Sequence, residues 1–140
     1  RVEGVVARNG PFDALVGFSQ GCVVATMLTA HREARARALR AAGRARELAA
    51  LAPMWRLNVL VCGIPARAAD CEDVLRALAP LEQPAVLVFG QQDEFYEYGQ
   101  RLREQYAAPV VIEHPGGHHP PKDAAVVRQI CDAIASQLSR

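Results

Sequence analysis

The chain has 140 residues, of which 51% are hydrophobic and 22% charged, with a formal net charge of +1. That length suits one domain with a real core over residues 1–140. The near-neutral balance gives no general drive toward nucleic acid, no apolar run is long enough to span a bilayer, and the composition is neither disordered nor fibrous.

The first predicted element is a strand over Asp13–Phe18, ending in Gly17-Phe18-Ser19-Gln20-Gly21. An apolar run, Val23–Leu28, follows at once. Strand, G-x-S-x-G and helix in that order define a sharp turn with the serine at its apex. The turn strains the serine backbone, so the side chains beside it must be small, and Gly17 and Gly21 are expected to meet that need. Ser19 Oγ then stands clear of the sheet, and the backbone N–H of Gln20 points to the same place. An exposed oxygen nucleophile at a helix N-terminus suits acyl transfer, because the N–H groups can hold a developing oxyanion.

A helix is predicted from Gln20 to about His31, then an alanine- and arginine-rich stretch to Leu51. Arg32, Arg35, Arg37, Arg40, Arg44 and Arg46 fall in that stretch, spaced by alanines. A solvated, helix-prone surface is the expectation for segment 32–46, with a lid or a partner-binding face as alternatives. Nucleic-acid binding would call for interleaved aromatics or a basic domain, and neither is present. Lys122 is the only lysine; together with the abundant alanine this points to a GC-rich genome rather than to function.

Three more strands are predicted: Leu57–Cys62, Ala85–Phe89 and Val110–Glu113. Each is a short continuous apolar run, as expected where both faces of a parallel sheet are covered. Helical patterns over Cys71–Leu78, Phe95–Tyr106 and Ala124–Leu138 alternate with them. In the last, Val126, Val127, Ile130, Ile134 and Leu138 are expected on one face. The alternation predicts an α/β fold: a mainly parallel sheet of about four strands flanked by helices.

Cys22, Cys62, Cys71 and Cys131 form no C-x-x-C pair. Buried free thiols are expected at Cys22 and Cys62, in a reducing, cytoplasmic compartment. His114, His118 and His119 lie close in sequence, but no cysteine or carboxylate pattern completes a zinc site, so no metal is expected. Trp55, Phe95, Tyr96 and Tyr98 suit core or pocket wall.

An activated serine needs a base, and the base needs a group that fixes its tautomer. The third strand runs into Gly90-Gln91-Gln92-Asp93, and the fourth into His114-Pro115-Gly116-Gly117-His118-His119. Both follow the C-terminal ends of strands, on the sheet edge that carries Ser19. The order Ser, acid, His is that of α/β-hydrolases. Asp93 could instead cap the next helix, Glu94 is a neighbouring acid, and His118 could simply bond backbone.

These motifs resemble the FSH-type serine hydrolases, a branch of the α/β-hydrolase fold. The resemblance runs from Asn9-Gly10-Pro11-Phe12-Asp13 and the Gly17–Gly21 turn, through Trp55–Gly63 and Pro84–Asp93, to His114–His118. It implies Ser19 as nucleophile, Asp93 as orienting acid and His118 as base. Hydrolysis of a small-molecule carboxylic ester with an apolar acyl or alkyl group is implied, with no cofactor. On this resemblance Arg1–Arg8 looks like the end of the helix before the nucleophile strand. The earlier strands, with an oxyanion-hole loop, are expected to be missing, which leaves Asp13–Phe18 as an exposed edge prone to self-association. Acyl-protein thioesterases share the Gly-Phe-Ser-Gln-Gly turn but match the histidine loop less well. A degenerate hydrolase fold kept for protein interaction is the reading from another class.

Overall fold

The computed structural model describes residues 2–51 and 54–140. Among these the sheet has four strands, β1 (Ala14–Phe18), β2 (Leu57–Val61), β3 (Ala85–Gly90) and β4 (Val110–His114), all parallel and in that spatial order. Helices α1 (Val2–Asn9), α2 (Gln20–Ala41), α3 (Ala45–Ala50), α4 (Ala69–Leu78), α5 (Tyr96–Gly99) and α6 (Ala124–Leu138) complete the fold. It is a partial α/β-hydrolase fold. Arg1, part of the expected helix end over Arg1–Arg8, lies outside the described residues.

Alternation along the strands sorts the core into two layers. Leu15, Leu60, Ala85, Leu87, Phe89 and Val111 face α2, α4 and the segment after β3. Ala14, Leu57, Val59, Val61, Val86, Val88, Val110 and Ile112 face α6. The two inner strands are buried at every position, which is why they read as unbroken apolar runs. Helix α6 lies over β2, β3 and β4 through Val126, Ile130, Ala133, Ile134 and Leu138. Val127, expected on that face, is exposed, and Ala133 takes its share of the contact. Asp123 caps the helix, its Oδ1 accepting from Ala125 N–H at 2.9 Å and Val126 N–H at 3.0 Å.

Two helical boundaries differ from expectation. Helix α2 does not stop near His31 but runs 22 residues to Ala41. Alanine and arginine are strong helix formers, and no breaker intervenes before Gly43, which takes a left-handed φ of 66°. Residues 32–41 of the arginine-rich segment are therefore the continuation of the helix that follows Ser19, while Arg44 precedes α3 and Arg46 lies within it. Arg32 donates to Leu51 O at the end of α3, and Arg37 to Leu78 O at the end of α4 at 3.0 Å; these cations sit on unsatisfied helix-terminal carbonyls. The single helix expected over Phe95–Tyr106 is the short α5 followed by a 3-10 helix over Gln100–Gln105. At Gly99 the chain presses so closely on β2's end that a Cβ would lie 2.8 Å from Gly63 O.

A buried polar network pins α2 to the sheet. Asn58, fully buried on β2, accepts from Trp55 Nε1–H at 2.8 Å and donates to Thr29 Oγ1 at 2.9 Å and to Tyr106 OH at 3.2 Å. Thr26 Oγ1 lies 3.0 Å from the same phenol, whose pKa is pushed well above its ordinary value by burial. Cutting Asn58 to alanine strands the indole N–H and frees the two hydroxyls in a dry site, a cost of about 2–3 kcal/mol. Asn58→Ala should therefore lower the urea midpoint with an unchanged slope; a midpoint matching the wild type would mean the network contributes no net stability.

Candidate active site

Ser19 occupies the turn between β1 and α2 with φ 52° and ψ −119°. A non-glycine residue there costs about 1–3 kcal/mol and persists only where its surroundings hold it. The surroundings are visible: Ser19 N–H donates to Val61 O at 3.0 Å, and Cys22 N–H to Ser19 O at 3.0 Å. Gly17 suits a tight approach, since a Cβ on it would sit 3.0 Å from Cys22 N and from the Gly21 carbonyl. Gly21 is not required in the way expected from the motif, because a Cβ there meets nothing within 4 Å. The N–H groups of Gln20 and Gly21 have no acceptor among the described residues, as is usual in the first turn of a helix.

His118 reaches Ser19 from the far side of the sheet. Its Nε2 is 2.9 Å from Ser19 Oγ, and its Nδ1 is 2.8 Å from Asp93 Oδ2. The side chain of Asp93 is only 5% exposed, that of His118 26%. Asp93 is not the cap of α5, a position held by Phe95 without a side-chain capping bond; its Oδ1 instead accepts from Phe95 N–H at 2.8 Å in the turn before the helix. One carboxylate thus serves both, one oxygen on the backbone and one on the imidazole. Glu94 is exposed. Phe18 and Phe95, each about 40% exposed, flank the imidazole with ring centroids 5.2 and 5.4 Å away. Of the other aromatics, Trp55 is core, Tyr96 donates to Glu113 at 2.6 Å, and Tyr98 lies between the guanidinium groups of Arg67 and Arg101.

The acid and histidine loops are locked together by backbone. Gln91 N–H donates to His114 O at 2.8 Å, and Gln92 N–H to Gly116 O at 3.0 Å. Gly90 lets them meet, for a Cβ there would fall 2.3 Å from Gly117 O and 2.5 Å from Gly116 O. Gly116 makes room for the neighbouring rings, with His114 Nδ1 and His119 Cε1 under 3.0 Å from its would-be Cβ. His119 turns away, bonding Pro120 O through Nδ1. The sequence places Gly90 at the end of a strand just before the acid, but neither its contact with the histidine loop nor this zipper can be read from it.

Cys62 Sγ, Asp93 and His118 bring three possible metal ligands within 4.8 Å of one another. The chemistry fits a metal poorly. Both imidazole nitrogens are engaged, and burial, followed by the nearby Asp93 charge, pushes the Cys62 thiol up to about 11, so it is protonated at neutral pH.

A serine at the strand–helix turn, an acid after β3 and a histidine after β4 follow the order found in α/β-hydrolases. The chain matches the family described as Serine hydrolase (FSH1) over residues 1–130, and it belongs to that family. It is 33% identical over 126 residues to the human protein named Esterase OVCA2, a match covering 88% of this chain and 49% of that protein. It is 30% identical over 146 residues to Hydrolase phiM from a fungal species (strain ATCC 74256), covering 99% and 64%. To Esterase C25G4.2 of Caenorhabditis elegans it is 28% identical over 138 residues, covering 96% and 56%. The chain spans about half the length of the curated relatives it matches.

His114 supplies a pH test of the loop. It is 3% exposed, its Nδ1 accepts from Gly116 N–H at 3.2 Å, and its Nε2 has no partner among the described residues. Burial, then the adjacent His119, lowers its pKa from the ordinary value. The folded pKa lies below the unfolded one, so on acidification the unfolded chain takes up the proton first. This contribution to stability is whole above an unfolded value of about 6.5 and is lost as pH falls below it. Melting temperatures from pH 7.5 to 5.0 should fall less steeply for His114→Asn, which keeps an acceptor for Gly116 N–H. Equal slopes would exclude His114 as the sensitive group. Independently, Gly90→Ala should part the two loops and cut the reactivity of Ser19 at least tenfold; a fully reactive Gly90→Ala protein would show that the loops tolerate separation.

Proposed function

We propose that this chain carries the catalytic serine, acid and base of a carboxylic ester hydrolase acting through an acyl-enzyme. The observation that supports this most is the single imidazole joining Ser19 Oγ at 2.9 Å to Asp93 Oδ2 at 2.8 Å. Ser19 Oγ attacks the ester carbonyl carbon while His118 Nε2 takes its proton. The carbonyl oxygen becomes an oxyanion, held by the Gln20 N–H at the start of α2. Asp93 accepts from His118 Nδ1–H, which leaves Nε2 free as the base, and it stabilises the imidazolium. The leaving alcohol takes the proton from Nε2 as the carbon–oxygen bond breaks. Water, deprotonated by His118, then attacks the acyl-serine and releases the acid. No step needs a cofactor. The exposed sides of Phe18 and Phe95 offer an apolar wall beside the imidazole, in keeping with an ester bearing an apolar acyl or alkyl group.

A fluorophosphonate probe tests the reading, because it labels an activated serine without requiring turnover of a particular ester. Wild-type protein should be labelled at Ser19, and Ser19→Ala should not be. Loss of the imidazole in His118→Ala should slow labelling by roughly 10³-fold or more, while His119→Ala keeps a substantial fraction. Absence of labelling in the wild type would favour a non-catalytic interaction module instead. Labelling that survives His118→Ala but not His119→Ala would move the base by one residue.

A further inference from the structure

We infer that Cys62 is a positioning residue for the base, holding the histidine loop where it crosses the sheet; this rests on the proposed role of His118. Ser19 follows β1 and His118 follows β4, at opposite edges of the strand order. The imidazole must therefore be carried back over the ends of β3 and β2. Gly90 clears the way at the end of β3. At the end of β2 the loop meets Cys62.

Cys62 leaves the strand with φ 48°, a left-handed conformation costly for any residue with a Cβ. Its N–H donates to Val88 O at 2.8 Å, continuing the ladder, while its side chain rises toward the loop. The thiol sits 3.6 Å from His119 O and 3.9 Å from Gly117 O, the carbonyls on either side of His118. The same sulfur is within 4.8 Å of both the Asp93 carboxylate and an imidazole nitrogen. Such a strained residue is retained where it does something a relaxed one cannot, and here one S–H donor faces both carbonyls that bracket the base. Being protonated, the thiol adds no charge to compete with Asp93 for the imidazole. The following Gly63 lets the chain turn down at once, since a Cβ on it would lie 2.7 Å from Leu102 and 2.9 Å from Cys22.

Two substitutions separate the thiol from the strain. Cys62→Gly removes the donor and a buried side chain but suits the left-handed backbone, so relief of strain offsets much of the lost packing. Cys62→Ser keeps a donor. Cys62→Gly should slow fluorophosphonate labelling of Ser19 about 3- to 10-fold, the range one net hydrogen bond supports, while the protein remains fully folded at the labelling temperature. Cys62→Ser should remain within about twofold of wild type. In ¹⁵N-histidine NMR, His118 in the wild type and in Cys62→Ser should show one neutral tautomer, protonated at Nδ1, whereas Cys62→Gly should show mixed tautomers. Wild-type labelling and wild-type His118 signals in Cys62→Gly would overturn the inference, as would Cys62→Ser falling as far as Cys62→Gly. If the wild type is not labelled, the esterase reading fails by itself, and the NMR comparison still decides whether Cys62 holds the loop.

Discussion

The geometry of this molecule is governed by one crossing. Serine and histidine leave from opposite sides of a parallel sheet, and neighbouring strands lie about 4.8 Å apart. The histidine loop must therefore travel back over two strand ends before its imidazole can reach Ser19. Backbone passing over backbone leaves little room for side chains beneath it, and the residues at each strand end answer to that. Gly90 has no Cβ under the carbonyls of Gly116 and Gly117, and Cys62 bends out of its strand at positive φ. The two N–H donations from Gln91 and Gln92 then fasten the crossing segment to the acid loop. Asp93 and His118 are set relative to each other by backbone, before their own side chains meet.

Ser19 is held by a different part of the fold. Its strained backbone is fixed by the bond to Val61 O and by the start of α2, and α2 is in turn fixed to β2 through Asn58, Thr29 and Tyr106. A polar network in a dry core stabilises little relative to well-packed apolar groups, but it admits few alternative arrangements. It sets how the long helix sits on the sheet, and that placement decides where Ser19 and the free N–H of Gln20 point.

Much of this was legible in the sequence for identifiable reasons. The inner strands stood out because both faces are covered, and the three site residues because each follows a strand end with glycine nearby. Spacing could not show which glycines matter for space: Gly21 looked essential from its place in the motif and borders open space, while Gly90 looked ordinary and lies against two carbonyls. The division of helices beyond His31 was misread because alanine and arginine carry no boundary signal until Gly43. Cys62 read as an inert core thiol, since its contact with the histidine loop joins residues 55 and 57 positions apart. Asn58 was hidden inside an apolar run, where one polar residue gives no hint of its three partners.

The outer face of β1 ties the rest of the protein to this site. Helix α6 covers β2, β3 and β4, so on its side of the sheet Val16 is left 67% exposed and Phe18 43%. Among the described residues the outer hydrogen-bonding edge of β1 is also unpaired, and β1 contains neither proline nor lysine to discourage a further strand. Phe18 belongs to two environments at once, because its ring lies 5.2 Å from the imidazole of His118. Anything packed on this face, whether more of a longer chain or a second copy, therefore touches a side chain that lies against the His118 imidazole. Burying Phe18 would lower the local dielectric around the Ser19–His118 pair and strengthen its electrostatics. Covering the edge and tuning the site are, through that one ring, the same structural event.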